Sequence, residues 1–436
     1  MRKLALLAIL AACGGDDTAS PDSPTGNHPD PMVIAGGGIT GGAIDGVVNL
    51  YAIDDATRMP IQGAMVRVGT IEGTTDATGL FVADGVVGKQ DVVVTAAGYR
   101  SEYWIGANGA NMTFDLHAAN PTVAQATLSG SITGFDQITV PTGHAKVGLV
   151  GYSQDDLAPD AANNLTTPNS GNVCIVTTAN TGCNFQIVTR AGKVTLIGMV
   201  FDYDTKGTQT TADDTQTLIS YASRTGITVS DGVAQTGQDL TVIPMAMTST
   251  VAVDFGTPPS GLTQLLGLVG IEMADGSGVI QLPVISNTVS SAPVPSLASF
   301  SGATYRLSAI AQTTATPPNQ AITLHRHLST TSLAAGEWTP PPANVTVDRT
   351  SASWTNVTGA LIHGVEYDSG STGILSITSF DGTATATIPD LVSIPSGSLT
   401  VKVQALAGSG LDLTDLEIDR DREKLTAVGV ANVALN

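Results

Sequence analysis

The sequence has few aromatic and few charged residues for its length. Aromatic residues make up 4% and charged residues 13% of the 436 positions, and only three cysteines are present. So small a supply of large side chains argues against one large core and favours several small domains. The 48 glycines, beside abundant threonine, serine and valine, are typical of β-domains with thin cores.

Several catalytic and binding motifs are missing from the sequence. It has no Gly-x-Ser-x-Gly turn, no phosphate-binding glycine loop and no His-Glu-x-x-His pair. Beyond the N-terminal segment, no apolar run is long enough to cross a membrane as a helix. The formal net charge of −20 argues against nucleic acid as a partner. These absences favour a non-enzymatic protein without a required cofactor.

The first thirteen residues have the parts of an export signal. Arg2 and Lys3 form a positive region, residues 4–12 are apolar but too short to span a bilayer, and small residues precede Cys13. The run Leu-Ala-Ala before Cys13 resembles the lipobox of bacterial lipoproteins, in which the signal is removed and the cysteine is acylated. The resemblance implies a signal peptide at residues 1–12 and membrane attachment through a lipid on Cys13. A simple secretory signal with an incidental cysteine is the alternative.

The residues after the lipobox predict a membrane location and a disordered tether. Gly14, rather than aspartate, follows Cys13. In lipoprotein sorting an aspartate there implies retention in the inner membrane, so the resemblance favours the outer membrane, with exposure at the cell surface as a further expectation. Residues 13–42 are rich in proline and glycine and contain little that could form a core, so we predict a disordered tether.

From residue 43 onward the sequence alternates apolar and polar residues with frequent turns, which predicts antiparallel strands. Over residues 43–118, a Pro-Ile strand, a Thr-Asp-x-x-Gly-x-Phe turn and a Val-x-Ala-x-Gly-Tyr strand resemble the carboxypeptidase regulatory-like domain, a transthyretin-like β-sandwich. The matching residues are Pro60, Gly63, Ala64, Val66, Val68, Thr75, Asp76, Gly79, Phe81, Gly98 and Tyr99. In this turn we expect Asp76 to accept hydrogen bonds from backbone amides and Gly79 to supply a positive φ.

A glycine followed by an alternating strand recurs at Gly88, Gly192, Gly302 and Gly397. The spacing is roughly 100 residues, the size of an immunoglobulin-like sandwich. We therefore predict an all-β chain of tandem antiparallel β-sandwich modules. Their predicted ranges are 43–118, 126–247, 251–337 and 343–436. The sequence around residue 250 has no clear linker, so the second and third modules are expected to pack closely, and the third resembles no family.

The fourth module resembles a fibronectin type III domain. Its first strand contains Val345, a buried tryptophan is expected at Trp354 in the second, and a late strand follows Gly397. It departs from that family at Leu399, where a tyrosine is usual. A stiff joint, Trp-Thr-Pro-Pro-Pro ending at Pro342, is predicted to separate this module from the third.

The second module contains the two cysteines that the predicted lipid anchor does not use. Cys174 and Cys183 lie close in sequence, and exported proteins meet oxidising conditions, so we predict a disulfide that closes a hairpin or loop. Two free thiols, or half of a metal site, are the alternatives.

The second module also contains the outline of a calcium loop. Asp202, Asp204 and Asp213 fall at the first, third and twelfth positions, with Gly207 at the sixth. Lys206 places a cation where an oxygen ligand is usual, so an ordinary acidic loop is the alternative to a calcium site.

Other clusters suggest ligands more weakly. Tyr99, Tyr103 and Trp104 could form an aromatic platform for a glycan, but neighbouring residues of a strand face opposite sides, so a core role competes. His363 and Glu366 have the His-x-x-Glu spacing of a zinc-binding pair, but residues three apart on a strand also face opposite sides, so we reject a zinc site there. His325 and His327 share a strand face, which could hold zinc only with further ligands, and a solvated strand face is the simpler interpretation.

The sequence therefore leads to three functional hypotheses. The first is a lipid-anchored cell-envelope protein that presents its modules for adhesion, scaffolding or interaction with an envelope protein, without catalysis. The alternative is a surface lipoprotein that binds polysaccharide. An enzyme with its active site in the third module is a third and weaker hypothesis.

Overall fold

The computed structural model describes residues 31–120, 124–153, 165–166, 174–176, 182–208, 214–244, 249–274, 278–282 and 284–436. Within these ranges the chain forms β-strands, one four-residue helix, α1 (Ile418–Asp421), and short 3₁₀ turns. The predicted all-β class is confirmed. None of the described helices is long and apolar enough to cross a membrane. The predicted signal peptide and Cys13 lie outside the described residues.

The first module is a sandwich of two sheets. Its strands are β1 (Gly38–Thr40), β2 (Asp45–Asp54), β3 (Met65–Val68), β4 (Ile71–Thr74), β5 (Leu80–Val87), β6 (Gln90–Thr95), β7 (Ser101–Ala107) and β8 (Asn111–Leu116). One sheet contains β1, β8, β2 and β5, and the facing sheet contains β7, β6, β3 and β4. Leu50 and Phe114 from the first sheet share a buried core with Val66 and Val92 from the second. Full burial of each such side chain contributes about 1.5–3 kcal/mol.

The turn before β5 has the predicted geometry. The Asp76 carboxylate accepts hydrogen bonds from the Thr78 amide at 2.8 Å and from the Leu80 amide at 3.1 Å. Gly79 has a φ of 76°, and Phe81 packs against the core of the first module. The Thr78 hydroxyl also donates to this carboxylate, at 2.7 Å, and with the two amides it holds the pKa of Asp76 below its usual value.

The second module has two sheets around its own core. Its strands are β9 (Gln125–Thr133), β10 (Ala145–Ser153), β11 (Leu165–Thr166), β12 (Cys174–Val176), β13 (Gly182–Arg190), β14 (Gly192–Asp204), β15 (Thr215–Val229), β16 (Leu240–Thr241) and β17 (Ile243–Pro244). β13, β9 and β16 form the smaller sheet, which faces the sheet containing β10, β14 and β15. Leu128, Phe185 and Leu196 lie in the core between them.

The third module packs on the outer face of the second. Its strands are β18 (Ser249–Asp254), β19 (Gln264–Glu272), β20 (Val279–Gln281), β21 (Ile285–Ser286), β22 (Ser291–Val294), β23 (Thr304–Gln312), β24 (Gln320–Leu328) and β25 (Ser332–Ala334). Met199 and Tyr221, from β14 and β15, lie in the same core as Val269 and Tyr305 of the third module. The second and third modules therefore share a core, as the missing linker suggested.

The fourth module places a small sheet against a large one. Its strands are β26 (Ala343–Val347), β27 (Ser351–Thr355), β28 (Ile362–Ser369), β29 (Thr372–Ser379), β30 (Thr385–Thr387), β31 (Leu399–Gly408), β32 (Leu416–Glu417) and β33 (Leu425–Leu435). β26, β27 and β30 form the small sheet. Trp354 is 6% exposed in the core between the two sheets, as predicted.

A thirteen-stranded sheet, here called the long sheet, joins the first, third and fourth modules. Its order is β20-β19-β23-β24-β33-β31-β28-β29-β7-β6-β3-β4, with β21 paired to β19. β29 of the fourth module runs parallel to β7 of the first, with Leu375 opposite Ser101. β33 pairs with β24 of the third module, with Val428 opposite Ile322. The tandem modules are thus fused through backbone hydrogen bonds.

The predicted tether extends too far toward the C-terminus. Within residues 13–42, Gly38–Thr40 form β1, which pairs with β8 on one side and β32 on the other. Ile34 and Ile39 are 3% and 0% exposed. Gly38 is essential to this pairing, because a Cβ there would lie 2.1 Å from the Leu416 carbonyl oxygen. The glycines that suggested disorder permit this close approach.

The predicted joint between the third and fourth modules is packed against the body of the protein. The Trp338 indole nitrogen donates to the Phe255 carbonyl at 2.8 Å. Pro340 lies so close to β33 that a Cβ at Gly429 would be 2.0 Å from the Pro340 carbonyl oxygen. This segment therefore fixes the two modules to each other.

Candidate functional site

The predicted calcium loop begins at the end of β14. Both described carboxylates already have partners: His144 Nδ1 lies 2.7 Å from Asp202 Oδ1, and His144 Nε2 lies 3.3 Å from Asp204 Oδ2. Lys206 Nζ is 2.5 Å from the same Asp204 oxygen, and hydrogen bonds from Lys206 lower the pKa of Asp204. Asp213 lies outside the described residues. Calcium binding by these residues stays a prediction.

The three predicted platform residues do not share an exposed surface. Trp104 is 6% exposed and stacks on Phe114 with ring centroids 3.8 Å apart in the core of the first module. Tyr103, 8% exposed, faces the opposite side of β7 and contributes to the core of the fourth module. The Tyr99 hydroxyl donates to Asp54 at 2.7 Å. Strand alternation thus separates the rings, and the prediction of one aromatic platform is wrong.

Tyr103 does reach the wall of a groove between the first and fourth modules. The groove has a volume of about 450 Å³ and is lined also by Arg67, Asp91 and Asp390. The Tyr103 hydroxyl donates to Asp91 at 3.3 Å, and Arg67 pairs with Asp390 at 2.7 Å. Burial and the charge of Asp91 raise the pKa of Tyr103 to about 12, so its hydroxyl stays neutral at physiological pH. The polar groups of this groove are engaged with one another.

The two cysteines of the second module lie in different sheets. Cys174 opens β12, which pairs with β10, whereas Cys183 on β13 pairs with Ile132 of β9. A bond between them would therefore connect the two sheets of the module. The side chain of Cys174 is outside the described part of the chain, so the disulfide stays a prediction.

The histidines have structural surroundings. His325 Nε2 lies 2.8 Å from the Ala335 carbonyl oxygen, and His327 lies 3.6 Å from Glu272. His363 accepts a hydrogen bond from the Val357 amide, and burial lowers the pKa of His363. Glu366 lies on the other side of β28, in agreement with the rejection of the zinc-like pair. No group of three or more metal-ligating side chains occurs within the described ranges.

Five charged side chains form a cluster, here called the charged seam, where β7 meets the fourth module; Arg100, Glu102 and Glu366 are buried, and Asp368 and Lys402 are half-buried. Arg100 Nη2 lies 2.9 Å from Glu102 Oε1, and both side chains are 9% exposed. Lys402 Nζ lies 3.0 Å from Glu366 and 2.9 Å from Asp368. Burial opposes the charge on Lys402, but the two carboxylates outweigh it and raise its pKa. The seam is thus an electrostatic connection between modules.

The charged seam was missed in the sequence, although a signal for it exists. Arg100 directly precedes β7 and Glu102 lies on it, two residues further on, while Glu366 and Asp368 are two residues apart on β28, so each pair points to one side. Charges repeated with strand periodicity inside apolar strands indicate a polar row. Only the tertiary pairing shows that the two rows meet.

One surface groove contains a partly exposed tryptophan. It lies at the junction of the third and fourth modules, has a volume of about 590 Å³ and is widely open to solvent. Its lining residues are Thr257, Pro259, Ser260, Gly336, Glu337, Trp338 and Pro340. Trp338 belongs to the predicted joint, and an aromatic residue in such a joint is the sequence signal for this groove.

No protein-family model matches the sequence, and no curated protein resembles it. Among solved structures, the Bacillus anthracis TIE protein is 8% identical, with 66% of this chain and 49% of that chain covered and a TM-score of 0.15. This chain thus spans about half the length of the TIE protein. The shaft pilin SpaA from Lactobacillus rhamnosus GG is 13% identical over 46% of this chain and 98% of that chain, with a TM-score of 0.14. BcpA, the major pilin subunit of Bacillus cereus, is 10% identical over 66% of this chain and 98% of that chain, with a TM-score of 0.15.

Proposed function

We propose that this protein is a lipid-anchored, non-catalytic component of the cell envelope whose fused β-modules form a rigid scaffold for adhesion or for contact with another envelope component. The observation that supports it most strongly is the long sheet, which runs without a break through the first, third and fourth modules. Backbone hydrogen bonds across module boundaries resist bending in a way that flexible linkers cannot.

Two further features support a rigid scaffold. The charged seam places buried ion pairs at the contact between the first and fourth modules. The segment containing Trp338 and Pro340 is held against the body and leaves no free hinge between the third and fourth modules. A rigid body of this kind would hold its exposed surfaces in a fixed orientation relative to the segment that carries the anchor.

The anchor is the part of the proposal that rests on the resemblance to lipoproteins. A lipid on Cys13 would attach the chain to a membrane, with the outer membrane favoured by Gly14. Since β1 is held between β8 and β32, the chain enters the folded body at a fixed strand. The anchored segment would then connect directly to the scaffold.

Lipidation is tested by replacing Cys13 with serine in the full chain. We expect Cys13→Ser to abolish fatty-acid labelling and to release the protein from the membrane fraction, while Cys183→Ser, as the matched control, retains both. Protease treatment of intact cells then reports surface exposure. Continued membrane attachment and labelling of Cys13→Ser would contradict the anchor.

A second candidate function is polysaccharide binding at the cell surface. The open groove beside Trp338 favours it, because a partly exposed indole and nearby polar side chains suit a sugar ring. Binding of purified protein to a panel of polysaccharides tests this function. An absence of binding to every member of the panel, with and without calcium, would count against it.

A further inference from the structure

The three tryptophans of the chain occupy two kinds of environment. Trp104 and Trp354 are each 6% exposed and lie in the cores of the first and fourth modules. Trp338 is only partly buried and lines the groove at the junction of the third and fourth modules. It is thus the tryptophan whose ring a ligand in solution can reach.

The Trp338 ring is held in place before any ligand binds. Its indole nitrogen donates to the Phe255 carbonyl at 2.8 Å, and the ring packs against apolar residues of the third module. Two residues before Trp338, Gly336 lies against the ring of His325, and the His325 ring is itself held by its contact with the Ala335 carbonyl oxygen. A ligand would therefore not have to order this side chain, which removes one entropic cost of binding.

The chemistry of the groove selects a class of ligand. Trp338, Pro259 and Pro340 supply apolar surface, and Glu337, Ser260 and Thr257 supply oxygen atoms that accept hydrogen bonds. A pyranose ring has this combination, with C–H groups on its faces and hydroxyl groups around its rim. The carboxylate of Glu337 and the formal charge of −20 disfavour acidic sugars.

We propose that the Trp338 groove binds pyranose units of a neutral polysaccharide, with the indole as the stacking surface and Glu337 as a hydrogen-bond acceptor. Because the groove is widely open to solvent, it has room for internal units of a polymer as well as for termini. This site deepens the second candidate function and does not depend on the anchor.

Fluorescence of the full chain tests the proposal, because the exposed indole is the one that iodide can quench. The probes are soluble starch, a soluble mixed-linkage β-glucan and mannan as neutral polymers, and alginate as the acidic comparison. We expect at least one neutral polymer to reduce iodide quenching, alginate to leave it unchanged, and Trp338→Ala to weaken binding of that polymer by about tenfold or more.

Matched variants distinguish the loss of a binding site from a general loss of folding. Trp338→Phe keeps an aromatic surface and should retain part of the binding, Glu337→Gln should weaken it, and Tyr99→Phe, in the first module, should leave it unchanged. Equal binding by wild type and Trp338→Ala, no binding to any neutral polymer, or stronger binding to alginate would each overturn the proposal. Membrane release of Cys13→Ser is measured independently, so the failure of one proposal leaves the other in place.

Discussion

Arg100, which directly precedes β7, packs against Gly373 of β29. A Cβ at Gly373 would lie 3.0 Å from Arg100 Cδ and 3.5 Å from its Cγ. The Arg100 guanidinium group contacts Glu102 and also interacts electrostatically with Glu366 and Asp368 on β28. The small residue at position 373 leaves room for the Arg100 side chain beside the charged seam.

Replacing Gly373 with valine should disturb this contact. The new side chain would push against Arg100, and overpacking of a buried site typically costs about 1–3 kcal/mol. We expect Gly373→Val to lower the midpoint of urea unfolding, with the loss reduced when Arg100 is changed to alanine in the same chain. Thr385→Val, on the exposed face of β30, is the control. Equal stabilities of Gly373→Val and wild type would refute the packing argument.

Removing Lys402 should destabilise the protein more than removing an exposed ion pair. Glu366 is 2% exposed and its Oε1 has no hydrogen-bond partner among the described residues, so Lys402→Met removes the direct ion-pair partner of a buried carboxylate. Breaking a buried pair in this way typically costs about 3–5 kcal/mol. Arg67→Ala breaks the pair with the exposed Asp390 and should have a much smaller effect. Chemical unfolding of both variants checks the order, and a larger loss for Arg67→Ala would contradict it.

Local features of the fold followed from the sequence because short-range chemistry decides them. The turn at Asp76 and Gly79 depends on side-chain hydrogen bonds and a positive φ, both of which a few neighbouring residues determine. The strands predicted after a glycine also depend on local backbone geometry. Gly88, Gly192 and Gly397 all have positive φ values, and each precedes or begins a strand. Burial of Trp354 was expected from the resemblance to a fibronectin type III domain, and it agrees with the alternating burial along β27.

The joining of the modules could not be predicted in this way. Pairing of β29 with β7 connects distant segments in parallel, and alternation within a strand does not show which edge it will meet. Composition also misled at β1, where glycine suggested disorder but serves a close approach at Gly38. At the candidate site, the aromatic residue of the Trp338 joint was visible, but the groove around it depends on how the third and fourth modules pack.

The contribution of Asp115 and His117 to stability should decline as the pH rises from about 4 to neutrality. Burial and the charge of Asp55 raise the pKa of Asp115 to about 7, against the opposing effect of Arg58 at 2.5 Å. Burial lowers the pKa of His117, but its hydrogen bond to Asp55 outweighs this, and the net shift is upward. Groups with raised pKa values stabilise the fold while protonated, and this contribution is lost as pH rises through the folded pKa.

The variant Asp115→Asn isolates this effect. Between about pH 4 and pH 7, the free energy of unfolding of the wild type should decrease relative to that of Asp115→Asn, because only the wild type loses the contribution of a protonated Asp115. Asp76→Asn is the control, because the pKa of Asp76 is lowered and its contribution is lost only at more acidic pH. Urea unfolding across this pH range provides the measurement. A slope that is the same in wild type and Asp115→Asn would show that Asp115 does not titrate in this window.

The predicted bond between Cys174 and Cys183 should stabilise the second module. Closure of so short a loop contributes about 2–3 kcal/mol in the chain-entropy account, and here it would also connect two sheets. Intact mass with and without reductant, after thiol alkylation, should show no free thiol at either position before reduction. Cys174→Ser and Cys183→Ser should then lower stability equally. Quantitative alkylation of both cysteines without reductant would rule the bond out.

The first module should depend on the fourth for its stability. Val93, Tyr103 and Ile105 face the core of the fourth module, and β7 uses one edge to pair with β29. A fragment of residues 31–120 alone would expose these side chains and an unpaired strand edge, which promotes aggregation. We expect it to be poorly folded by amide hydrogen exchange and to gain protection when mixed with a fragment of residues 343–436.

Variants of the fragment of residues 343–436 test whether strand pairing causes the gain in protection. Mutating Leu375 to proline removes a backbone donor from β29 opposite Ser101 and should abolish the rescue, whereas Thr385→Val on β30 should preserve it. Because β1 also pairs with β32, protection should appear at both strands of the first module that contact the added fragment. Cooperative folding of residues 31–120 alone, with protection unchanged by the added fragment, would mean that the first module is an independent domain and that the long sheet forms by docking of finished units.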